Sequence, residues 1–401
     1  LRINTFRELL DEARYAGRQR MAVAAAGEST VIGAVAHAIR EGLVHPILIG
    51  DAERIRELVG QHKISVDSVE IMDVPDPVEA SLTAVRLVHQ GEAELVMKGL
   101  VTTKSFLRAL LNQEFGMRRG QPMSHVAVLE SPDQSRLMLM TDSGINIHPN
   151  FSRKIAIIQN ALVVAKALGM AQPKVAVVAS AEKVQLPAMP ATLDAELLRR
   201  MGASGKFGDC IIDGPMSMDN VLDRHTAEIK GRTSPVTGSA DVIVVPDLET
   251  GNTMYKTIRY LIHREVAGIV VGAAAPVVVT SRSDSAITKL NSIALGAVYA
   301  QRILRKATDT VPEPVPEITT TYRIVVVNPG STSTKIALFE NERCVREVES
   351  GYIIDSAADL SAQQEQVKEL ERRVLGVMGD AGWDKVDAIA ARGGFVPRPP
   401  E

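Results

Sequence analysis

Val277-Val-Val-Thr-Ser-Arg-Ser-Asp-Ser-Ala-Ile-Thr-Lys289 decides how the rest of the chain is read. Its β-branched start, Val277 to Thr280, stops at a polar knot of Ser281, Arg282, Ser283, Asp284 and Ser285, and a helical pattern then runs to about Arg305. That succession predicts a buried parallel strand whose carboxyl end feeds a helix N-terminus. Such a junction gathers unpaired backbone N–H groups at the positive end of the helix dipole, so it suits an anion, phosphate above all. A plainer role is open to the same residues, since Ser283 or Asp284 would serve as a helix cap.

Outward from this stretch the chain repeats the theme. Apolar runs at Met21–Ala26, Pro46–Gly50, Val69–Val74, Leu95–Lys98, His125–Glu130 and Leu137–Thr141 read as strands, and so do Lys174–Ala179, Asp209–Asp213, Asp241–Val245 and Gly268–Thr280, the last broken near Pro276. Helical patterns such as Glu28–Gly42, Asp76–Gln90, Asn150–Gly169, Leu193–Met201, Gly251–Val266 and Ser285–Ile303 lie between them. Strands with helical connectors predict a three-layer α/β architecture with largely parallel sheets. Glu130-Ser-Pro-Asp-Gln134 predicts one hairpin and so an antiparallel element. Asp142–Phe151 is a polar connector suited to a domain crossing, and Thr308–Thr321, with three prolines among acids and threonines, reads as an extended linker.

Composition narrows the classes. A chain of 401 residues exceeds one ordinary core. A net charge of −3 and 3% aromatic residues offer neither the basic surface nor the stacking platform that nucleic acid requires. Cys210 and Cys344 form no CxxC or Cys/His cluster, which argues against a zinc site or disulfide framework and predicts a reducing, cytoplasmic setting. No apolar run is long enough to span a bilayer, and residues 1–20 lack a signal-peptide core.

Further junctions carry similar chemistry. In Lys98-Gly-Leu-Val-Thr-Thr-Lys104, Thr102 or Thr103 can cap a helix over Ser105–Asn112, and Gly99 would let the backbone approach a ligand closely. Met140–Asn150 puts Asp142, Asn146 and His148 in one loop, a set too small for a metal and better suited to a turn or polar pocket. Val245–Lys256 places Gly251 and Asn252 at a helix start, with Lys256 about one turn farther in. Gly202-Ala-Ser-Gly-Lys206 is too short for a phosphate loop and has Phe207 where Ser or Thr is required. No GxGxxG opens a helix, so a dinucleotide site has no support.

Taken in order, MKGLVTT (Met97–Thr103), SHVAVLE (Ser124–Glu130), MTDSGINIHP (Met140–Pro149), DGPMSMDNV (Asp213–Val221), VVPDLETGNTMYK (Val244–Lys256) and TSRSDSA (Thr280–Ala286) resemble the phosphate acetyl/butyryl transferase family. The resemblance covers about Thr5 to Arg305. It implies two three-layer α/β domains with a cleft between, akin to isocitrate and isopropylmalate dehydrogenases: residues 1–141 with 280–307, and residues 142–279. It also implies reversible transfer of a short acyl group, butyryl foremost, from acyl-CoA to phosphate, with no cofactor or metal and a homo-oligomeric assembly. Arg282 would hold phosphate through its planar fork, Ser281 would hydrogen-bond the transition state, and Asp284 would manage the thiol proton. Lys98, Thr102, Thr103, Asp142, Asn146, Gly251, Asn252 and Lys256 would bind substrate. In acetyl-transferring relatives the proposed base lies near the position of Ile287 or Thr288. Here either Asp284 substitutes, or thiol activation is electrostatic.

Beyond the linker, Tyr322–Leu338 reads as a strand, a Gly/Ser/Thr turn and a second strand, a setting suited to phosphate. This pattern and Ala391-Arg-Gly-Gly394 resemble the opening of acetate and butyrate kinases, which have an actin-like ATPase fold. The resemblance places Asn328, Ser331, Ser333 and Lys335 at phosphate and Arg392 at an acyl phosphate. Residues 322–401 would be an incomplete kinase segment, loosely packed and inactive, with Mg-ATP or ADP bound only by a complete kinase. Rival readings are a phosphate acetyltransferase, a non-catalytic acyl-CoA sensor, and a metal-dependent decarboxylating dehydrogenase, for which the clustered aspartates are missing.

Overall fold

The computed structural model describes residues 1–281, 284–305, 323–329, 333–340, 343–350, 360–383, 385–386 and 388–391. They fall into two compact units, Leu1–Val311 and Pro312–Glu401.

In the first unit the strands are β1 (Gln19–Ala24), β2 (Val44–Gly50), β3 (Glu70–Asp73), β4 (Leu95–Lys98), β5 (Ser124–Glu130), β6 (Leu137–Thr141), β7 (Lys174–Val178), β8 (Ile211–Met216), β9 (Val242–Val244), β10 (Val266–Val271) and β11 (Val277–Val278). They form one sheet in the order β3-β2-β1-β4-β11-β10-β5-β6-β9-β7-β8. Each lies on or beside an apolar run expected to be a strand. The order was not readable from those runs: β10 and β11, assigned with the second domain, sit between β4 and β5.

Direction matters more than order for the site. β1, β2, β3, β4 and β11 are mutually parallel, and β6, β9, β7 and β8 form a second parallel block. The blocks run oppositely, because β10 is antiparallel to both β11 and β5, and β5 to β6. The β5–β6 hairpin was expected. At its tip the Asp133 carboxylate accepts from the Ser131 hydroxyl at 2.5 Å and the Ser135 N–H at 3.2 Å, the local side-chain bonding that makes Asp a turn residue.

The inner strands, β1, β4, β5, β6, β9, β10 and β11 among them, are almost wholly buried on both faces, as strands covered by helices must be, whereas the edge strand β3 is exposed or half-buried throughout. The helix Ala286–Tyr299 is buried continuously from Thr288 to Tyr299 and packs on β10 and on the helices Ser29–Arg40 and Phe6–Tyr15. A helix apolar on nearly every side is stable only in such a position. The helix expected over Gly251–Val266 is shorter. Asp247 caps it by accepting from the Thr250 N–H, it spans Leu248–Lys256, and a wider turn, Thr257–Leu261, ends it before His263 adopts a φ of 55°.

The second unit holds β12 (Arg323–Pro329), β13 (Thr334–Glu340), β14 (Arg343–Ser350) and β15 (Ala388–Ala391) in the order β14-β13-β12-β15, with a helix over Leu360–Asp380. The two expected strands are present and β12 pairs antiparallel with β13, while residues 330–332 of the expected turn lie outside the described residues. The loose packing expected of this segment is not what its described residues have. Val325, Val327, Ile336 and Leu338 of the sheet join Leu370, Val374, Met378 and Trp383 in a buried cluster, because the helix covers one sheet face.

Candidate active site

The four junctions singled out in the sequence assemble as two pairs. Lys98–Thr102 and Thr280–Ser285 follow β4 and β11, which are parallel neighbours, so their carboxyl-end loops lie side by side. Ligands of open α/β sheets bind outside such strand ends.

At the first of these corners Lys98 is buried, and its ammonium donates to the carbonyls of Gly99 at 3.2 Å and Val101 at 3.1 Å. Thr102 caps the following helix, its hydroxyl oxygen accepting from the Ser105 N–H at 3.1 Å, and Thr103 begins that helix. The helix spans Thr103–Leu110, starting two residues earlier than expected. Gly99 serves a different approach from the one expected. A Cβ there would lie 2.5 Å from the Ala24 carbonyl oxygen, so the missing side chain admits the end of β1.

The second corner is a closed turn. The Ser281 N–H donates to Asp284 Oδ2 at 2.7 Å, and the Asp284 N–H donates back to the Ser281 carbonyl at 3.1 Å. Asp284 is 6% exposed, and its Oδ1 is buried without a hydrogen-bond partner among the described residues. Burial pushes this carboxyl above the ordinary range, against the Ser281 N–H and the charges of Lys289, Arg259 and His125. Arg282 and Ser283 lie outside the described residues. The cap of the next helix is Ser285, not Ser283 or Asp284: its hydroxyl oxygen accepts from the Thr288 N–H at 3.0 Å.

That helix start already has an anion. Glu265, just before β10, accepts from the Thr288 hydroxyl at 2.9 Å and the Ser285 hydroxyl at 3.2 Å. The N-terminus expected to hold phosphate is thus approached by a carboxylate of the chain itself. Ile287 is exposed, whereas Thr288 is buried on the Glu265 side.

The second pair follows β6 and β9, also parallel neighbours. Asp142 is buried and accepts four hydrogen bonds: Oδ1 from the N–H groups of Gly144 (2.8 Å) and Ile145 (3.0 Å), Oδ2 from the Asn146 N–H (3.1 Å) and its amide (2.6 Å). Asn146 also donates to the Met123 carbonyl at 2.9 Å. These two side chains therefore build the loop rather than stand ready for substrate. Gly251 lets the helix Leu248–Lys256 touch that loop, since a Cβ there would overlap the Asp142 carbonyl oxygen and lie 3.0 Å from Ser143 Cα. Asn252 donates to the Ser143 carbonyl at 3.3 Å, and Lys256 is exposed.

His125 and Tyr255 stand between the pairs. The His125 Nδ1 lies 2.8 Å from the Ser143 hydroxyl, and its ring meets Tyr255 edge-on with centroids 6.2 Å apart. Burial lowers the His125 pKa, while the charges of Asp142 and Asp284 raise it. Burial first, and then the charge of Asp284, raise that of the Tyr255 hydroxyl. His125, Tyr255, Glu265 and Lys289 are the residues that sequence reasoning passed over. His125 lies in SHVAVLE, Tyr255 in VVPDLETGNTMYK and Lys289 at the end of the opening stretch, Glu265 in no motif, and nothing local marked any of them as neighbours of Asp284.

In the second unit Asn328 is exposed and pairs in register with Lys335. The Ser333 hydroxyl donates to Glu349 at 2.5 Å, and Lys335 lies 3.7 Å from Glu347 and 3.9 Å from Glu349. Ser331 and Arg392 lie outside the described residues. No group of His, Cys, Asp and Glu able to hold a metal occurs among the described residues, and no helix there is long and apolar enough to cross a membrane.

Comparison with known proteins gives this geometry a context. Residues 75–297 match the sequence profile described as phosphate acetyl/butaryl transferase. The chain is 42% identical to a phosphate butyryltransferase of Clostridium beijerinckii over 297 residues, 74% of this chain and 98% of that protein. It is 39% identical to a phosphate acetyltransferase of Thermotoga maritima over 293 residues, 73% of this chain and 99% of that protein. Among solved structures, a branched-chain phosphotransacylase of Enterococcus faecalis V583 superposes with a TM-score of 0.63 at 28% identity, covering 70% of this chain and 99% of that one.

Proposed function

The chain belongs to the phosphate acetyl/butyryl transferase family and is a phosphate acyltransferase, and we propose that its preferred donor is butyryl-CoA and that the Ser281–Asp284 turn is where the acyl group changes hands. A phosphate oxygen attacks the thioester carbonyl carbon, the C–S bond breaks, and its electron pair leaves on sulfur. The thiolate takes a proton from Asp284. In reverse, ionised Asp284 accepts the proton of the CoA thiol, whose ordinary pKa of roughly 8.5 leaves it mostly protonated near neutrality. Arg282 is assigned to the attacking phosphate, Ser281 to the developing oxyanion, and Lys98 and the Asp142–Gly251 contact to the substrate walls.

One observation carries this reading. Asp284 is a buried carboxyl with one oxygen anchored by the Ser281 N–H and the other without a hydrogen-bond partner among the described residues. Burial favours its protonated form, as a proton donor to a thiolate needs, while nearby cations keep the ionised form within reach. The donor preference is supported by likeness to proteins named for butyryl transfer, although a relative named for acetyl transfer is nearly as similar. For the second unit we propose the opening of a carboxylate kinase, supported by its β12–β13 hairpin.

The test is CoA release from acetyl-, butyryl- and longer acyl-CoA with phosphate, in the parent and in Asp284→Asn. We expect the highest kcat/KM with butyryl-CoA and a loss of about 10²- to 10⁴-fold in Asp284→Asn, the usual weight of a general acid or base. Full activity of Asp284→Asn with an unshifted pH profile would remove Asp284 from the chemistry. A higher kcat/KM for acetyl-CoA would reassign the donor.

A further inference from the structure

Lys289 is 1% exposed, one turn inside the helix Ala286–Tyr299. Lysine is seldom buried so completely, because its ammonium carries three donors and loses hydration on leaving water. Among the described residues its Nζ donates to a single acceptor, the Asp284 carbonyl oxygen, at 2.6 Å. Burial lowers the Lys289 pKa, and the two carboxylates that face it, Asp284 and Glu28, raise it. Glu28 precedes the helix Ser29–Arg40, beyond the end of β1, so the ammonium lies within the field of two strand-end loops.

An unbranched apolar side chain such as Met would fill this space without the cost of desolvating a charge. The cost needs an offsetting role, and the nearest group with chemistry to do is Asp284. Besides Lys289, the charges of Arg259 and His125 act on that carboxyl, and the carboxyl in turn acts on the Tyr255 hydroxyl together with Arg259, Tyr260 and Glu265. Among the charges that oppose the effect of burial on Asp284, Lys289 is the strongest, ahead of Arg259 and His125.

We propose that Lys289 is a positioning residue of the acyl-transfer turn, its buried ammonium fixing the Asp284 main chain and supplying a positive charge beside that residue. The proposal rests on the reading of Asp284 as the group that exchanges a proton with the thiol. It explains how a carboxyl so deeply buried still acts as a base toward CoA. Lys289 itself touches no substrate.

The experiment follows the acyl phosphate plus CoA direction, where Asp284 must be ionised and the rate falls as pH falls. Lys289→Gln keeps an N–H for the Asp284 carbonyl and loses the charge; Lys289→Met loses both. Removing the cation raises the pH at which Asp284 ionises, so the acid limb moves to higher pH in both variants. A displacement of about one pH unit is the size expected for losing an opposite charge near a carboxyl. The plateau rate should survive better in Lys289→Gln than in Lys289→Met. An unmoved limb in variants that melt like the parent, with Asp284→Asn inactive, overturns the role of Lys289. A limb that persists in Asp284→Asn overturns the reading of Asp284 itself, and the proposal with it.

Discussion

Gly251 has no side chain, and with one the helix that contains it, Leu248–Lys256, would not pack so closely on the Asp142 loop. The family resemblance assigned both residues to substrate binding. The structure uses them on each other: Asp142 spends its oxygens on four donors of its own loop, and Gly251 admits the Asp142 carbonyl. Gly251→Ala should therefore act through the loop. Overpacking against backbone costs roughly 1–3 kcal/mol, since a carbonyl cannot swing aside as a side chain can. The expected outcome is a lowered melting temperature together with a raised KM, measured by thermal denaturation and by titration with butyryl-CoA. A variant with the parent's melting point and KM would show that the loop yields freely. Asp284 could be named in the sequence as a candidate base, but its supporting set could not. His125 and Lys289 are core positions by pattern, and only the folded chain shows that they face the same carboxyl.

The helix Ala286–Tyr299 was the most readable element, and its first turn was the least. A polar knot of five residues offered several caps, and local sequence does not choose among them. Tertiary contact decides. Glu265 lies twenty residues before Ser285, and its carboxylate draws in the hydroxyls of Ser285 and Thr288. Asp284 is then free to turn back to the Ser281 N–H. Ser285→Ala should cost about 1 kcal/mol, the usual weight of an N-cap, and should loosen the turn before it. The matching Glu265→Gln keeps an acceptor for both hydroxyls, so stability should change little, whereas turnover should fall if the capped helix start holds the Ser281–Asp284 turn in place. Denaturant midpoints and kcat, measured on both variants, separate these effects. A Ser285→Ala protein with parental midpoint and kcat would leave the cap without consequence for the site.

Across the whole molecule, strand positions were legible and strand neighbours were not. Apolar β-branched runs mark buried strands wherever they fall, but β10 and β11 slot between β4 and β5 only because their connections allow it. That placement is what seats Ser281–Asp284 beside Lys98–Thr102. All the residues assigned to acyl transfer belong to the unit Leu1–Val311, and 297 residues of the chain match 98% of a phosphate butyryltransferase. The unit Pro312–Glu401 has its own buried cluster around Val325, Leu338 and Trp383, and each core cluster among the described residues is built within one unit. Ending the chain at Val311 should therefore leave CoA release from butyryl-CoA and phosphate, and its pH profile, as in the parent. The comparison is made at equal concentrations of folded protein, with circular dichroism and melting temperature recorded for both. If the shortened chain folds but its kcat/KM collapses, residues beyond Val311 complete the transferase site. The assignment of the whole reaction to the eleven-stranded sheet would then have to be given up.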